Sequence, residues 1–256
     1  MSFYVTRMTD VIGDRWTVEY EGRGPDGFLI WVSRGFDAPA GRLEVGSSRE
    51  LAPELRAAVI ADAREWLADF VSEDEERLLA ERERIAGRPD EEDWAPPGLS
   101  RFELRVDGPA EEYAARLRTV LAAAVDRAVA GAGIDPAVVP GPLPAWFAAA
   151  CANDGSGVPG FARRGAERFR AAGHGVGWSA EGWLERFEID CPFRTWSWWD
   201  LTGGDDRTTL SLWVDAAGED FFACDELRWA AYTAGAQAVT GPALDRLDGW
   251  RGEPSV

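Results

Sequence analysis

An α+β fold is what this sequence predicts, with antiparallel β-meanders at both ends and helices packed on one face. Three observations lead there. Short runs rich in β-branched and aromatic residues, parted by Gly, Pro and Asp, fill the chain up to Val45 and return after Ala180. Between them lie stretches whose apolar residues recur at spacings near 3.6. Strands and helices are segregated along the chain rather than alternating, which speaks against a regular βαβ arrangement.

Phe3–Arg7, Trp16–Glu21, Phe28–Ser33 and Arg42–Val45 read as the first strands. Their connections, such as Gly22–Gly27, are short enough to require antiparallel neighbours. A helix then begins at Pro53, since a first turn leaves the missing proline N–H without consequence. Leu55, Val59, Trp66, Leu67 and Phe70 fall on one of its faces. Ser72-Glu-Asp-Glu75 has capping-box spacing and predicts a second helix, charged and solvated, running to Ala86.

Gly87–Gly98 is polar and proline-rich and is the best linker candidate, dividing the chain into residues 1–86 and 99–256, packed as one unit or as two. Beyond it come a strand, Arg101–Val106, and a long helix from Ala110 to Ala130 with Tyr113, Leu117, Val120, Leu121, Val125 and Val129 as its apolar stripe. The Pro/Gly run Ile134–Pro144 breaks that helix, and two shorter ones follow at Ala145–Ala152 and Phe161–Ala172. Trp183–Asp190, Thr195–Leu201, Thr208–Val214 and Asp220–Ala223 read as strands, with hairpin turns at Gly203–Asp206 and Asp215–Gly218. Asp225 is a suitable N-cap for a last helix, Glu226–Ala236, and a frayed polar tail is expected after Gly241. Strands followed by a helix thus occur twice. That pattern leaves open two similar halves, although no residue-level identity links them.

Charge narrows the range of partners. The chain carries 45 acidic against 27 basic residues, a formal net of -18. Such a field repels phosphate backbones and anionic membrane surfaces, so neither nucleic acid nor membrane is expected as a partner. It attracts a cationic protein and speeds encounter with one; solubility is the plainer explanation. All the basic residues are arginine, and Asn153 and Gln237 are the sole amides, a composition typical of GC-rich bacterial coding. Cys151, Cys191 and Cys224 stand far apart, with neither the even count of a disulfide framework nor the short spacing of a zinc site. The N-terminus has no apolar signal region and no window approaches the roughly 18 apolar residues of a membrane span, so a cytoplasmic location is expected. No motif calls for a cofactor or a metal.

Three constellations could carry chemistry. His174, the single histidine, lies in Gly173-His-Gly-Val-Gly177, where an imidazole could act as a base and glycines admit a close ligand; a helix C-cap and loop account for the same residues. With Cys191 or Cys224 as nucleophile, or Asp200 as partner, His174 would complete an enzyme site. The carboxylates Asp190, Asp200, Asp205, Asp206, Asp215, Glu219 and Asp220 gather near strand ends, where turns also select aspartate for local hydrogen bonds. The third constellation, Arg194-Thr-Trp-Ser-Trp-Trp-Asp200, is the most specific. On a strand Trp196 and Trp198 share one face and Trp199 the other, so one face can enter the core while the other forms a binding edge with Asp200, Asp205 and Asp206. Helices over both faces would instead make all three rings core.

In general character the segment Trp183–Ala236, with its acidic tryptophan-rich hairpins and Phe221-Phe-Ala-Cys-Asp-Glu-Leu-Arg-Trp229 running into a helix, resembles the immunity proteins that bacteria pair with toxins. The resemblance covers about a fifth of the chain, singles out no one family and carries over no binding residue. It implies an inhibitory protein that neutralises a basic partner, with Trp198 or Trp199 as anchor. The alternative is an enzyme of specialised metabolism built on His174 and a carboxylate.

Overall fold

Val18 and Tyr20 stand directly opposite Val32 and Ile30 across two antiparallel strands, and this apolar ladder organises the N-terminal part of the protein. The computed structural model describes residues 3–11, 15–22, 28–35, 43–67, 73–89, 96, 98–152, 157–189, 191–203, 208–219 and 221–256. Strands β1 (Phe3–Val11), β2 (Arg15–Gly22), β3 (Phe28–Gly35) and β4 (Glu44–Ser47) form an antiparallel sheet in sequential order. Helix α1 (Pro53–Leu67) sets Val59, Ala63 and Leu67, four residues apart, against the ladder. All seven side chains are at most 2% exposed. Helix α2 (Glu73–Ala86) follows.

The second sheet is antiparallel too, with a different path. Its strands are β5 (Gly98–Val106), β6 (Ser197–Gly203), β7 (Thr209–Asp215) and β8 (Ala236–Arg246), in the order β6-β7-β5-β8. The predicted hairpin joins β6 to β7, but β5, drawn from before the long helix, lies between β7 and β8. Sequential neighbours in one sheet and an inserted central strand in the other mean that the two sheets do not share a topology. Helix α3 (Ala110–Ala132) buries Tyr113, Leu117, Val120, Leu121, Val125 and Val129, the stripe expected of it. Helices α4 (Ala145–Ala152), α5 (Gly160–Ala171), α6 (Ala180–Glu185), α7 (Asp225–Ala234) and α8 (Leu247–Arg251) complete an α+β protein. Among the described residues, no helix is long and apolar enough to cross a membrane.

Several elements differ from expectation. Trp183–Asp190 is not a strand. The Ser179 hydroxyl accepts from the Gly182 N–H at 3.1 Å and caps α6, which buries Trp183, and Phe187 is buried in the turn that follows. Residues 221–224 form no strand. The tail after Gly241 is ordered as the rest of β8, then α8. Helix α2 is not solvated all round, for Glu75, Leu78, Glu81 and Ile85 are buried, the two carboxylates being paired with Arg34 and Arg194.

By compactness the chain divides into Met1–Glu76 with Val129–Val138, and Arg77–Ala128 with Val139–Val256. The division falls inside α2 rather than at Gly87–Gly98. Residues 81–84 bond within the second unit: Arg82 reaches Asp126 at 2.6 Å and Arg84 Nε donates to the Trp198 carbonyl at 2.9 Å. Of the expected linker, residues 90–95 and 97 lie outside the described residues.

Candidate functional site

Every residue of β6 is buried, and this corrects the expected binding edge. Trp196, Trp198 and Trp199 are 1%, 0% and 2% exposed and Asp200 is 0% exposed, so none of the four can anchor a partner. The register explains it. Trp198 faces Val214, but Asp200 takes the place opposite Trp213, so a bulge at Trp199 breaks the simple alternation of faces. Both sides of the strand are then covered. Arg118 lies over the Trp198 ring at 5.2 Å, Arg84 over Trp199 at 4.7 Å, and Trp250 of α8 meets Trp199 edge-on at 5.6 Å. Asp205 and Asp206, like Asp190 and Asp220, lie outside the described residues.

Asp200 is the centre of a buried polar hub. Its Oδ1 accepts from Arg118 Nη2 at 3.3 Å and from the Leu201 N–H at 2.8 Å. Its Oδ2 accepts from Trp250 Nε1 at 3.0 Å and from the Ser255 hydroxyl. Arg118 donates further to the carbonyls of Arg84, Ile85 and Val256 at 3.1, 2.8 and 3.4 Å. Burial lowers the Arg118 pKa, and the Asp200 charge opposes that shift. A carboxylate with four donors has no lone pair directed at a substrate, so the arrangement serves folding rather than proton transfer.

Two further buried carboxylates brace the same strand. Glu81 accepts from the Trp198 N–H at 2.6 Å and pairs with Arg194. Glu226 Oε1 accepts from Trp196 Nε1 at 2.6 Å, while its Oε2 has no partner among the described residues. Burial raises the Glu226 carboxyl above its ordinary value, against the lowering effect of its hydrogen bonds and of Arg186 and Arg194.

The residues considered for an enzyme do not assemble. His174 follows α5, its ring packed beside Phe169 and Tyr232 at 5.4 and 6.0 Å, with Nδ1 3.9 Å from Asp225. Its pKa is lowered by burial and by Arg228, with Asp225 opposing. Among the described residues His174 has no hydrogen bond to Cys191 or Asp200. Burial pushes the Cys224 and Cys151 thiols up to about 11, so neither is a thiolate at neutral pH. Cys191 sits in the turn after α6, its N–H bonded to the Glu188 carbonyl at 3.0 Å. An open cleft of about 550 Å³ is lined by Gly98, Gly218, Leu244, Asp245 and Arg246, none of them a candidate named above. The described residues contain no group of three or more His, Cys, Asp or Glu side chains that could hold a metal ion.

What the surface presents instead follows from where the arginines point. On α3, Glu111, Glu112 and Arg127 are exposed, and Arg116 donates to the Ala234 carbonyl at 2.8 Å, covers the Phe161 ring and lies 3.7 Å from Glu112. Around α6, Glu181, Glu185 and Glu188 are exposed and Arg186 folds over Trp178 and Phe193 at 5.2 and 4.9 Å. On α7, Asp225 is exposed, and Arg228 donates both to the Gly241 carbonyl at 2.6 Å and to Asp225 at 3.3 Å.

Some apolar side chains are exposed as well. Phe193 is 61% exposed, and on the outer face of the first sheet Leu29, opposite Glu21, and Trp31, opposite Glu19, are each 38% exposed. The Trp31 ring lies across Gly46 of β4, where any Cβ would collide with it. Arg15, paired with Glu44, shares that sheet face by register. Sequence reasoning passed over Trp31 because Phe28–Val32 is a continuous apolar run, in which period two cannot say which residues face out.

Comparison of the chain with family models, with curated proteins and with solved structures finds no match.

Proposed function

We propose that this chain is an acidic binding protein that neutralises a cationic protein partner, in the manner of an immunity protein. One observation carries the reading: around α6, Glu181, Glu185 and Glu188 are exposed while Arg186 is stacked on the Trp178 and Phe193 rings. Those cation–π contacts hold the guanidinium group against the rings, so the outward potential around α6 is that of the acids. A net charge of -18 for the whole chain adds long-range attraction for a basic protein. The tryptophans of β6 have no part in the interface. Its apolar anchor is Phe193, 61% exposed after α6.

The test is capture from the native host at low ionic strength, followed by salt elution and identification of the bound protein. A basic protein held in stoichiometric amount and released by salt supports the reading. Its association rate should fall about tenfold or more as ionic strength rises from roughly 0.02 to roughly 0.5 M. An acidic partner, or a rate indifferent to salt, overturns it. His174→Ala leaves such binding intact.

A further inference from the structure

Strand β6 lies at one end of the second sheet, hydrogen-bonded to β7 alone among the named strands. Its other edge is nonetheless occupied. Residues 253–256 run antiparallel along it through the Thr202–Ser255 bridge. The Gly203 N–H donates to the Pro254 carbonyl at 3.0 Å, and the Val256 N–H donates to the Leu201 carbonyl at 2.9 Å. Side chains add to the match. The Ser255 hydroxyl donates to Asp200, the Thr202 hydroxyl donates to Glu253, and Arg118 reaches the Val256 carbonyl. A Cβ at position 203 would stand 2.7 Å from Val256 Cγ2, so glycine at that point is what lets the valine lie over the strand.

The segment can leave without orphaning what lies beneath it. Asp200 would keep Arg118, Trp250 Nε1 and the Leu201 N–H. Arg118 would keep the Arg84 and Ile85 carbonyls, and Thr202 would keep the indole N–H of Trp213. The Leu201 carbonyl and Gly203 N–H would turn to water or to another strand, the two alternatives any sheet edge has. Trp250, 1% exposed, is the last firmly buried side chain, and Gly252 follows it at the start of the segment. By contrast β8, the opposite edge, is held by a long run of paired residues from Gly98–Arg246 to Val106–Ala236.

We propose that the outer edge of β6 is a strand-accepting site, closed in this structure by residues 253–256, which opens to take an extended segment of a partner protein. The segment it fits carries, opposite Thr202, a hydroxyl that reaches Asp200 and, next to it, a β-branched residue above Gly203, while its backbone supplies the two ladder bonds. This is recognition by strand addition, with main-chain bonds for affinity and alternate side chains for selectivity. The inference goes beyond the acidic-partner reading and does not depend on it.

Amide exchange on the full chain is the first test. The Gly203 and Val256 amides should exchange at least tenfold faster than that of Ser211, paired with Thr202 within the β6–β7 ladder. Equal protection would mean that the segment leaves only on global unfolding, and the proposal would fall. The second test uses a chain ending at Gly252 and a fluorescent Gly-Glu-Pro-Ser-Val peptide. The shortened chain should bind it at least tenfold more tightly than the full chain, and Gly203→Val in the shortened chain should abolish binding. A folded shortened chain that ignores the peptide overturns the proposal; if that chain does not fold, the exchange result decides.

Discussion

Two tryptophan-bearing strands of this protein have opposite fates. Trp31 of β3 is 38% exposed, whereas Trp198 and Trp199 of β6 are 0% and 2% exposed. Both strands are rich in apolar residues, and both belong to antiparallel four-stranded sheets. The difference lies in what covers the second face. In the first sheet α1 packs on the face of Val18, Tyr20, Ile30 and Val32, and the Leu29–Trp31 side stays partly open. In the second, Arg84, Arg118 and Trp250 close over β6 from three separate helices. A run of tryptophans therefore marks a place that can be deeply buried as readily as a place for binding, and the lone indole proves to be the accessible one.

The sharpest way to break this comparison is truncation. Trp198→Ala should cost about 3–5 kcal/mol in urea unfolding, the range for deleting a large buried ring. Trp31→Ala should cost less than about 1 kcal/mol, as befits a partly exposed site. Equal losses would mean that the two strands are alike after all. Trp198→Phe refines the point. The Trp198 indole N–H is buried with no partner among the described residues, so keeping a ring while removing that donor should recover much of the loss.

Next in size is the Asp200 hub. Arg118→Met removes a buried cation and leaves the Asp200 carboxylate without its charge partner, at a cost of about 3 kcal/mol. The outer pair Arg15–Glu44 in the first sheet, 42% and 68% exposed, should yield less than about 1 kcal/mol when broken. Denaturation midpoints of the two variants, taken side by side, check both.

The smallest effect concerns pH. Burial holds the Glu226 carboxyl above its unfolded value, so the folded chain takes up that proton more readily than the unfolded chain. The stability it contributes is full below the ordinary carboxylate range, near pH 4, and is lost as pH rises through the raised folded value. Glu226→Gln keeps an acceptor for Trp196 and removes the ionisation, so its melting temperature should exceed that of the parent at pH 7 and converge on it near pH 4. A constant gap across that range would place the effect in packing.

Much was legible from residue order alone. The first meander, α1 from Pro53, the six-residue stripe of α3 and the β6–β7 hairpin all follow from local spacing, because a period of two or near four is a property of neighbours along the chain. Net charge is equally local, a sum. Tertiary structure alone decided which indoles are covered, since Asp200 meets Trp250 fifty residues later and Arg118 eighty-two residues earlier, separations on which periodicity is silent. It also made a strand of Ala236–Arg246, whose mostly exposed residues show no alternation and gain their form from pairing with β5. The last four residues belong to the same class: their conformation comes from the sheet edge they meet.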